Sequence, residues 1–305
     1  MKLRVLGSAA GGGFPQWNCN CPMCKGVRSG SLAAQRRTQS SIAISDTGDE
    51  WVLFNTSPDI LQQLQSFEAL QPGRSLRDTG IRSIVLMDAQ IDHTTGLLML
   101  REHTEPLSLW CTTAVKEDLS QGNPLFKVLE HYCNIDWHEL NPAESPVMLP
   151  GASTIQLQAL PLTSNAPPYS PHRDQPVPGD TIGMLMTDTA TGRRLFYAPG
   201  LGEMEAHVWQ AMQSADVVLV DGTVWTDDEM IRVGASKKTG LAMGHLSQSG
   251  AGGMIEWLDK LPSTTRKVLI HINNTNPILD ENSKQRKLLA EHGIEVSFDG
   301  MEIDL

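Results

Sequence analysis

The stretch IVLMDAQIDHTTG, Ile84 to Gly96, decides how this chain is read. Four consecutive apolar residues, Ile84 to Met87, have the character of a buried strand. The chain then releases Asp88, Gln90, Asp92 and His93 before TTGLLML begins a helical pattern. Side chains delivered at the end of a buried strand are held rigidly, which suits metal ligands and catalytic groups. Taken singly, Asp92 could be a helix-capping carboxylate and His93 a loop histidine with satisfied nitrogens. Together, ahead of that turn, they are expected to be ligands.

A second strand-like run, KVLIHI, delivers His271 and then the turn-forming NNTNP with Asn273 and Asn274. Alone, His271 would be a core histidine with its nitrogens hydrogen-bonded. If it meets Asp92 and His93, the sum is two histidines and one carboxylate. That facial set leaves positions open on non-haem Fe(II) for oxygen and substrate. Zinc suits the same ligands, so the residues alone do not choose the metal. A separate cluster, WNCNCPMC, places Cys19, Cys21 and Cys24 as CxCxxC. Three thiolates at that spacing can converge on one ion, and a soft, closed set favours structural zinc with a fourth ligand from elsewhere. The alternative is free or redox-active thiols.

The rest of the composition narrows the classes. A chain of 305 residues with 40% hydrophobic content can bury a sizeable core. A formal net charge of -11 argues against nucleic acid, which demands clustered Lys and Arg, although pairs such as Lys237-Lys238 could meet a local acidic ligand. The start, MKLRVLGSAAGGG, carries too short an apolar run for a secretory signal. No segment approaches the ~20 uninterrupted apolar residues of a membrane span. A cytoplasmic protein is expected. Of the five cysteines, three fall within six residues, which is no disulfide framework.

Strand-like runs recur as KLRVLG, SSIAIS, EWVLFN, IRSIVLMD, LSLWCT, TIQLQAL, TIGMLMTD, RRLFYA, ADVVLVDG and KVLIHI. Helical patterns lie between several of them: ILQQLQSFEAL, GLLMLRE, EMEAHVWQAMQ, AGGMIEWLDKL and SKQRKLLAEHG. Strands cluster early and alternate with helices later. That order predicts an α/β (α+β) fold of two stacked sheets with helices outside, a four-layer αββα sandwich formed by residues 1–305 as one domain. The proline-rich stretch Thr163 to Asp180 cannot continue a helix or central strand, and is expected to wall or cover a pocket.

With these pieces placed, the sequence resembles the metallo-β-lactamase superfamily, whose usual HxHxDH signature aligns with DAQIDHTTG. LGSAAGGGFPQWNCNCPMC, LFNTSPDI and FDGMEIDL extend the resemblance along nearly the whole chain. The cysteine motif and the ending look like the branch of phosphonate-pathway phosphodiesterases. That branch has a structural zinc with a late fourth ligand, and the resemblance puts Asn274 at that position. The phrases RTQSSIAI, DAQIDHTTGLLMLRE, YAPGLGEM, MGHLSQSG and HINNTNPIL are closer still to the pyrroloquinoline quinone (PQQ) biosynthesis protein B family, PqqB. The resemblance implies a bacterial cytoplasmic protein acting on a precursor made from a crosslinked glutamate and tyrosine. Candidate partners are that precursor or PQQ itself, other enzymes of the pathway, and a second copy of the chain.

The departures from the superfamily pattern carry the chemistry. Asp88 and Gln90 stand where two histidines are usual, and Gly200 where a bridging aspartate is expected. A two-metal hydrolase needs those ligands. What survives, Asp92, His93 and His271, fits a single Fe(II) with O2 as cosubstrate, and the resemblance implies hydroxylation of the tyrosine-derived ring; Zn2+ can replace the iron in purified protein. His245 in MGHLSQSG matches a pocket histidine of the phosphodiesterases and is expected to act on a phenol proton, with capping of the next helix as the plain alternative. Asp88 and Gln90 join it as candidate catalytic residues, and Glu203 and Asp221 as candidates for orienting ligands or substrate. Two other readings stand beside the oxygenase: a zinc-dependent hydrolase, and a carrier taking PQQ or its precursor toward the periplasm.

Overall fold

Fourteen strands make two seven-stranded sheets in the computed structural model, which describes residues 1–305. The strands are β1 Lys2–Gly7, β2 Ser41–Ser45, β3 Trp51–Phe54, β4 Ile81–Val85, β5 Leu107–Cys111, β6 Ile135–Glu139, β7 Val147–Leu149, β8 Ala152–Pro161, β9 Ile182–Asp188, β10 Arg194–Ala198, β11 Val217–Asp221, β12 Arg266–Ile270, β13 Ile294–Val296 and β14 Glu302–Asp304. One sheet runs β14-β1-β2-β3-β4-β5-β6 and the other β13-β12-β11-β10-β9-β8-β7. β3 to β6 are parallel, as are β10 to β13, and the remaining pairs are antiparallel. Parallel neighbours need crossovers. Helices Ala206–Gln213, Met254–Leu258 and Lys284–Glu291 supply them in the second sheet.

Strands covered on both faces read as unbroken apolar runs, and WVLF of β3 and VVLVD of β11 are buried throughout. Between the sheets Val5, Ile44, Phe54 and Val85 meet Met184, Tyr197, Leu219 and Ile270. On the outer faces, Leu70, Leu97, Val115 and Leu129 cover the first sheet, and Val208, Met212, Leu258 and Leu289 the second. The two stacked sheets with helices outside make the four-layer αββα sandwich expected from the sequence. No helix is long and apolar enough to cross a membrane.

Two expected helices change form. ILQQLQSFEAL breaks at Ser66 into a helix, Ile60–Gln65, and a 3-10 turn, Glu68–Leu70. GLLMLRE becomes the 3-10 turn Thr95–Leu100 behind the short helix Ile91–Thr94. A helix that the pattern did not suggest, Pro22–Ser29, starts inside the cysteine motif: Pro22 occupies its first turn, the Cys21 thiol caps the Cys24 N–H, and Gly30 closes it with φ 71°.

Candidate metal centre

The ligand loop is shaped by its neighbours before any metal is considered. Where β4 ends, the Met87 N–H donates to Asn55 Oδ1 at 3.0 Å, and Asn55 holds the left-handed φ of 61° that allows it. Thr56 N–H donates to the His93 carbonyl at 2.7 Å. Gly96 follows because a Cβ there would lie 2.1 Å from the Ser57 carbonyl. From the other sheet, His271 leaves β12 with φ 63°, and Ile272 pairs with the SAAGGG run through Ile272 N–H to Ser8 O and Ala10 N–H to Ile272 O, both 2.9 Å. Gly11 of that run presses so closely on Asp92 that a Cβ would stand 3.1 Å from Oδ2.

These elements bring Asp92, His93 and His271 together, each offering a ligand atom within 4.8 Å of the others. Asp92 Oδ2 lies 3.7 Å from His93 Nε2 and 3.4 Å from His271 Nε2. His93 Nε2 is buried without a hydrogen-bond partner, a condition that calls for an occupant. The opposite face of each imidazole is fixed. His93 Nδ1 donates to Asp88, 2.8 and 2.9 Å from its two oxygens. The Thr223 hydroxyl donates to Asp221 Oδ1 at 2.6 Å and so accepts from His271 Nδ1 at 2.8 Å. Both histidines therefore turn an unprotonated Nε2 to the centre when neutral, the tautomer that binds a metal. The residues fit a single ion.

Electrostatics support the same division. Burial opposes ionisation of Asp92, but His93 and His271 hold its carboxyl well below the usual range. Burial would depress His93; Asp88 and Asp92 outweigh it and lift the imidazole to about 9. His271 is lowered, mainly by burial. His245 is raised against its burial by Asp221, whose Oδ2 accepts from His245 Nδ1 at 2.6 Å, leaving His245 Nε2 free. Asp221, His245 and His271 also cluster, yet the Nδ1 atoms there are already committed to Asp221 and Thr223.

A β-lactamase superfamily domain model matches residues 50–272. The coenzyme PQQ synthesis protein B of Azoarcus sp. (strain BH72) is 69% identical over the full length of both chains, and that of Nitrosococcus oceani is 60% identical, also over both full lengths. The chain belongs to the PqqB family. The crystal structure of Zn2+-bound PqqB from Methylobacterium extorquens superposes with a TM-score of 0.90 at 36% identity, covering 100% of each chain. A diphosphatase of the PhnP family, at 18% identity and TM-score 0.69, shares the fold.

The triad opens on a cavity of about 310 Å³ whose walls include Gln16, Gln90, Ser164, Met230, Met243 and His245. Its size is at the small end for a ligand site. The expected covering stretch, Thr163 to Asp180, is a fixed wall: Gln90 Nε2 donates to Asn165 O at 3.1 Å, Ser164 Oγ to Gly244 O at 3.4 Å, and Tyr169 OH to Ala89 O. Of the residues expected to be catalytic, His245 faces the cavity with a free nitrogen, Asp88 is turned to His93, and Gln90 anchors the wall. Asp221 orients His245. Glu203 is exposed and does not line the cavity, so the structure gives it no orienting role there. Gly200 does line it, 3.8 Å from His245 Cε1 measured from where a Cβ would stand, so no side chain fills the bridging position. Thr223, Gly11, Gln16, Met230 and Met243 are site residues that the sequence reading missed.

Cys19, Cys21 and Cys24 converge in a second cluster. Asn274 stands against them, its Nδ2 3.3 Å from Cys24 Sγ and its carbonyl oxygen 3.5 Å from Cys21 Sγ. Burial and the adjoining thiols push the free Cys21 thiol up to about 12, so such a group becomes a thiolate only against a cation.

Proposed function

We propose that this PqqB-family chain serves PQQ synthesis as an Fe(II)- and O2-dependent hydroxylase of the tyrosine-derived ring in a crosslinked glutamate-tyrosine precursor. The observation that carries the reading is the three-ligand set Asp92, His93 and His271 opening on the cavity with His93 Nε2 buried and unpaired. A dinuclear hydrolase is disfavoured because Asp88 is committed to His93, Gln90 to the wall, and Gly200 has no ligand to offer. Asp92, His93 and His271 would hold a ferrous ion, which would supply the activation of dioxygen. Zinc exceeds iron in affinity for such ligands, so a zinc-bound relative accords with iron chemistry. In the cysteine cluster, Asn274 is proposed to complete the shell of a structural zinc through an oxygen, since its amide NH2 has no lone pair for a metal; its main-chain carbonyl already lies 3.5 Å from Cys21 Sγ.

The protein's own part is positional and acid-base. Asp88 and Thr223 lock the two imidazoles, so the ligands need no reorganisation when the ion arrives. His245 Nε2 takes the phenol proton of the substrate, and Asp221 stabilises the imidazolium that results. An ionised ring is more electron-rich and easier to hydroxylate. Met230 and Met243 give the cavity most of its apolar wall, against which an aromatic ring can pack.

The test is anaerobic Fe(II) reconstitution followed by a crosslinked glutamate-tyrosine substrate, a two-electron reductant and O2, because each hydroxylation puts one oxygen atom on the ring and returns the other as water; product mass and oxygen uptake are followed together. The expected result is gain of oxygen atoms by the product, lost in His93→Ala. Tight substrate binding with no change in mass would replace this reading with a carrier, and turnover of an ester or phosphodiester without oxygen would replace it with a zinc hydrolase.

A further inference from the structure

The amides of the cavity wall spend their N–H groups on the protein, and what they leave toward the cavity is oxygen. Asn273 lines the cavity and is otherwise buried, 6% exposed in all. Its Nδ2 donates to Thr275 Oγ1 at 2.6 Å. The Thr275 hydroxyl gives its own proton to Glu229 Oε1, and Glu229 Oε2 accepts from Trp225 N–H at 2.6 Å. That chain fixes which way the amide points, because a reversed amide would set Oδ1 against a hydroxyl oxygen with no proton left to give. Asn273 Oδ1 has no partner in the protein and is not sealed by packing, so it opens on the cavity.

Gln90 is oriented in the same sense. Its Nε2 donates to the Asn165 carbonyl at 3.1 Å, a bond that only the NH2 end can make, and its Oε1 is left open without a partner. The neighbour of Asn165, Ser164, donates its hydroxyl proton to Gly244 O and keeps its lone pairs. No Lys or Arg lines the cavity, so the wall offers a carboxylate neither of those cations. An ammonium is the converse case: it carries three N–H donors and no acceptor, and it needs oxygens wherever it gives up water. The phenol proton of the proposed substrate goes to His245, which leaves these oxygens for another donor. A precursor built from two amino acids has one in its α-ammonium groups.

We infer that the cavity selects ligands bearing an alkylammonium group, which Asn273 Oδ1, Gln90 Oε1 and the Ser164 hydroxyl receive, with Thr275 and Glu229 as positioning residues that hold Asn273 in its accepting orientation. The choice of the precursor's own α-ammonium as occupant rests on the function proposed above; the preference for an ammonium over a neutral group does not.

The test is equilibrium binding to the full chain loaded with zinc at both metal clusters, where no oxygen chemistry intervenes. Two matched pairs are titrated by calorimetry: tyramine against 4-ethylphenol, and the crosslinked glutamate-tyrosine precursor against its N-acetylated form. The wild type is expected to bind the ammonium member of each pair about 10- to 100-fold more tightly, the range of a hydrogen bond to a charged group. Asn273→Ala and Gln90→Met are expected to lose most of that preference by weakening the ammonium ligands, with the neutral ligands and the metal content unchanged. Thr275→Val frees the amide to turn and is expected to lower the preference as Asn273→Ala does, whereas Thr275→Ser keeps the hydroxyl and is expected to retain it. Equal affinity within both pairs in the wild type overturns the inference, as does a loss in Asn273→Ala that falls equally on both members, and so does failure of all four ligands to bind. Should Asn273→Ala fail to fold, the wild-type comparison and Gln90→Met decide it. A preference for tyramine without hydroxylation under Fe(II), reductant and O2 would sink the proposed reaction and leave this inference standing.

Discussion

His93 shows how much rests on the face of an imidazole that never meets substrate. Asp88 fixes its Nδ1 and leaves Nε2 for the metal. His93→Ala and His271→Ala are expected to abolish retention of the triad metal while sparing the ion at the cysteines, which elemental analysis of purified variants will check. Asp88→Asn keeps the shape and is expected to weaken that metal by about 10- to 100-fold, the usual cost of losing a group that orients a ligand. A loss equal to that of His93→Ala would instead make Asp88 a ligand. pH separates the same roles. In the metal-free chain His93 is raised to about 9, so near neutral pH it carries a proton that the metal must displace. Apparent metal affinity is therefore expected to rise with pH, about tenfold per unit, until about 9, with one proton released; chelator competition across pH 6.5 to 9 will measure it. The sign reverses for stability without metal. A folded pKa above the unfolded value stabilises fully below the unfolded pKa, ~6.5, and that contribution fades as pH rises through about 9.

At the scale of elements, Gly96 is a tight joint, where the turn after His93 rests on the Thr56–Ser57 backbone. Gly96→Ala is expected to cost about 1–3 kcal/mol by overpacking and to lower triad occupancy, read by urea unfolding and metal content on the same preparation. The ten runs that looked like strands all became strands because each carried enough continuous apolar surface to be buried. The four that escaped notice are β6, with a half-exposed IDWHE, and the three-residue β7, β13 and β14, which take their conformation from sheet edges. The same division holds in the site. Asp92, His93 and His271 were legible because each sits beside the end of a strong strand signal. Thr223 was not, since it gains meaning only by meeting His271, 48 residues away, and Asp221 at once. The turn of Asp88 toward His93 was equally invisible, because spacing does not say which nitrogen faces which neighbour.

At the scale of the whole molecule, the first part of the chain builds one sheet, the second part builds the other, and β14 returns to pair with β1. Both candidate metal clusters join these halves: Asp92 and His93 come from the first and His271 from the second, while the cysteines come from the first and meet Asn274 of the second. Cys21→Ser is accordingly expected to lower Tm as well as abolish zinc binding at the cysteines, with the loss seen by scanning calorimetry in the presence and absence of added zinc. The four-residue stretch His271 to Asn274 touches one cluster with its first residue and the other with its last. An ion held by the cysteines would brace the stretch that presents His271, so stripping that cluster is expected to weaken metal binding at the triad as well.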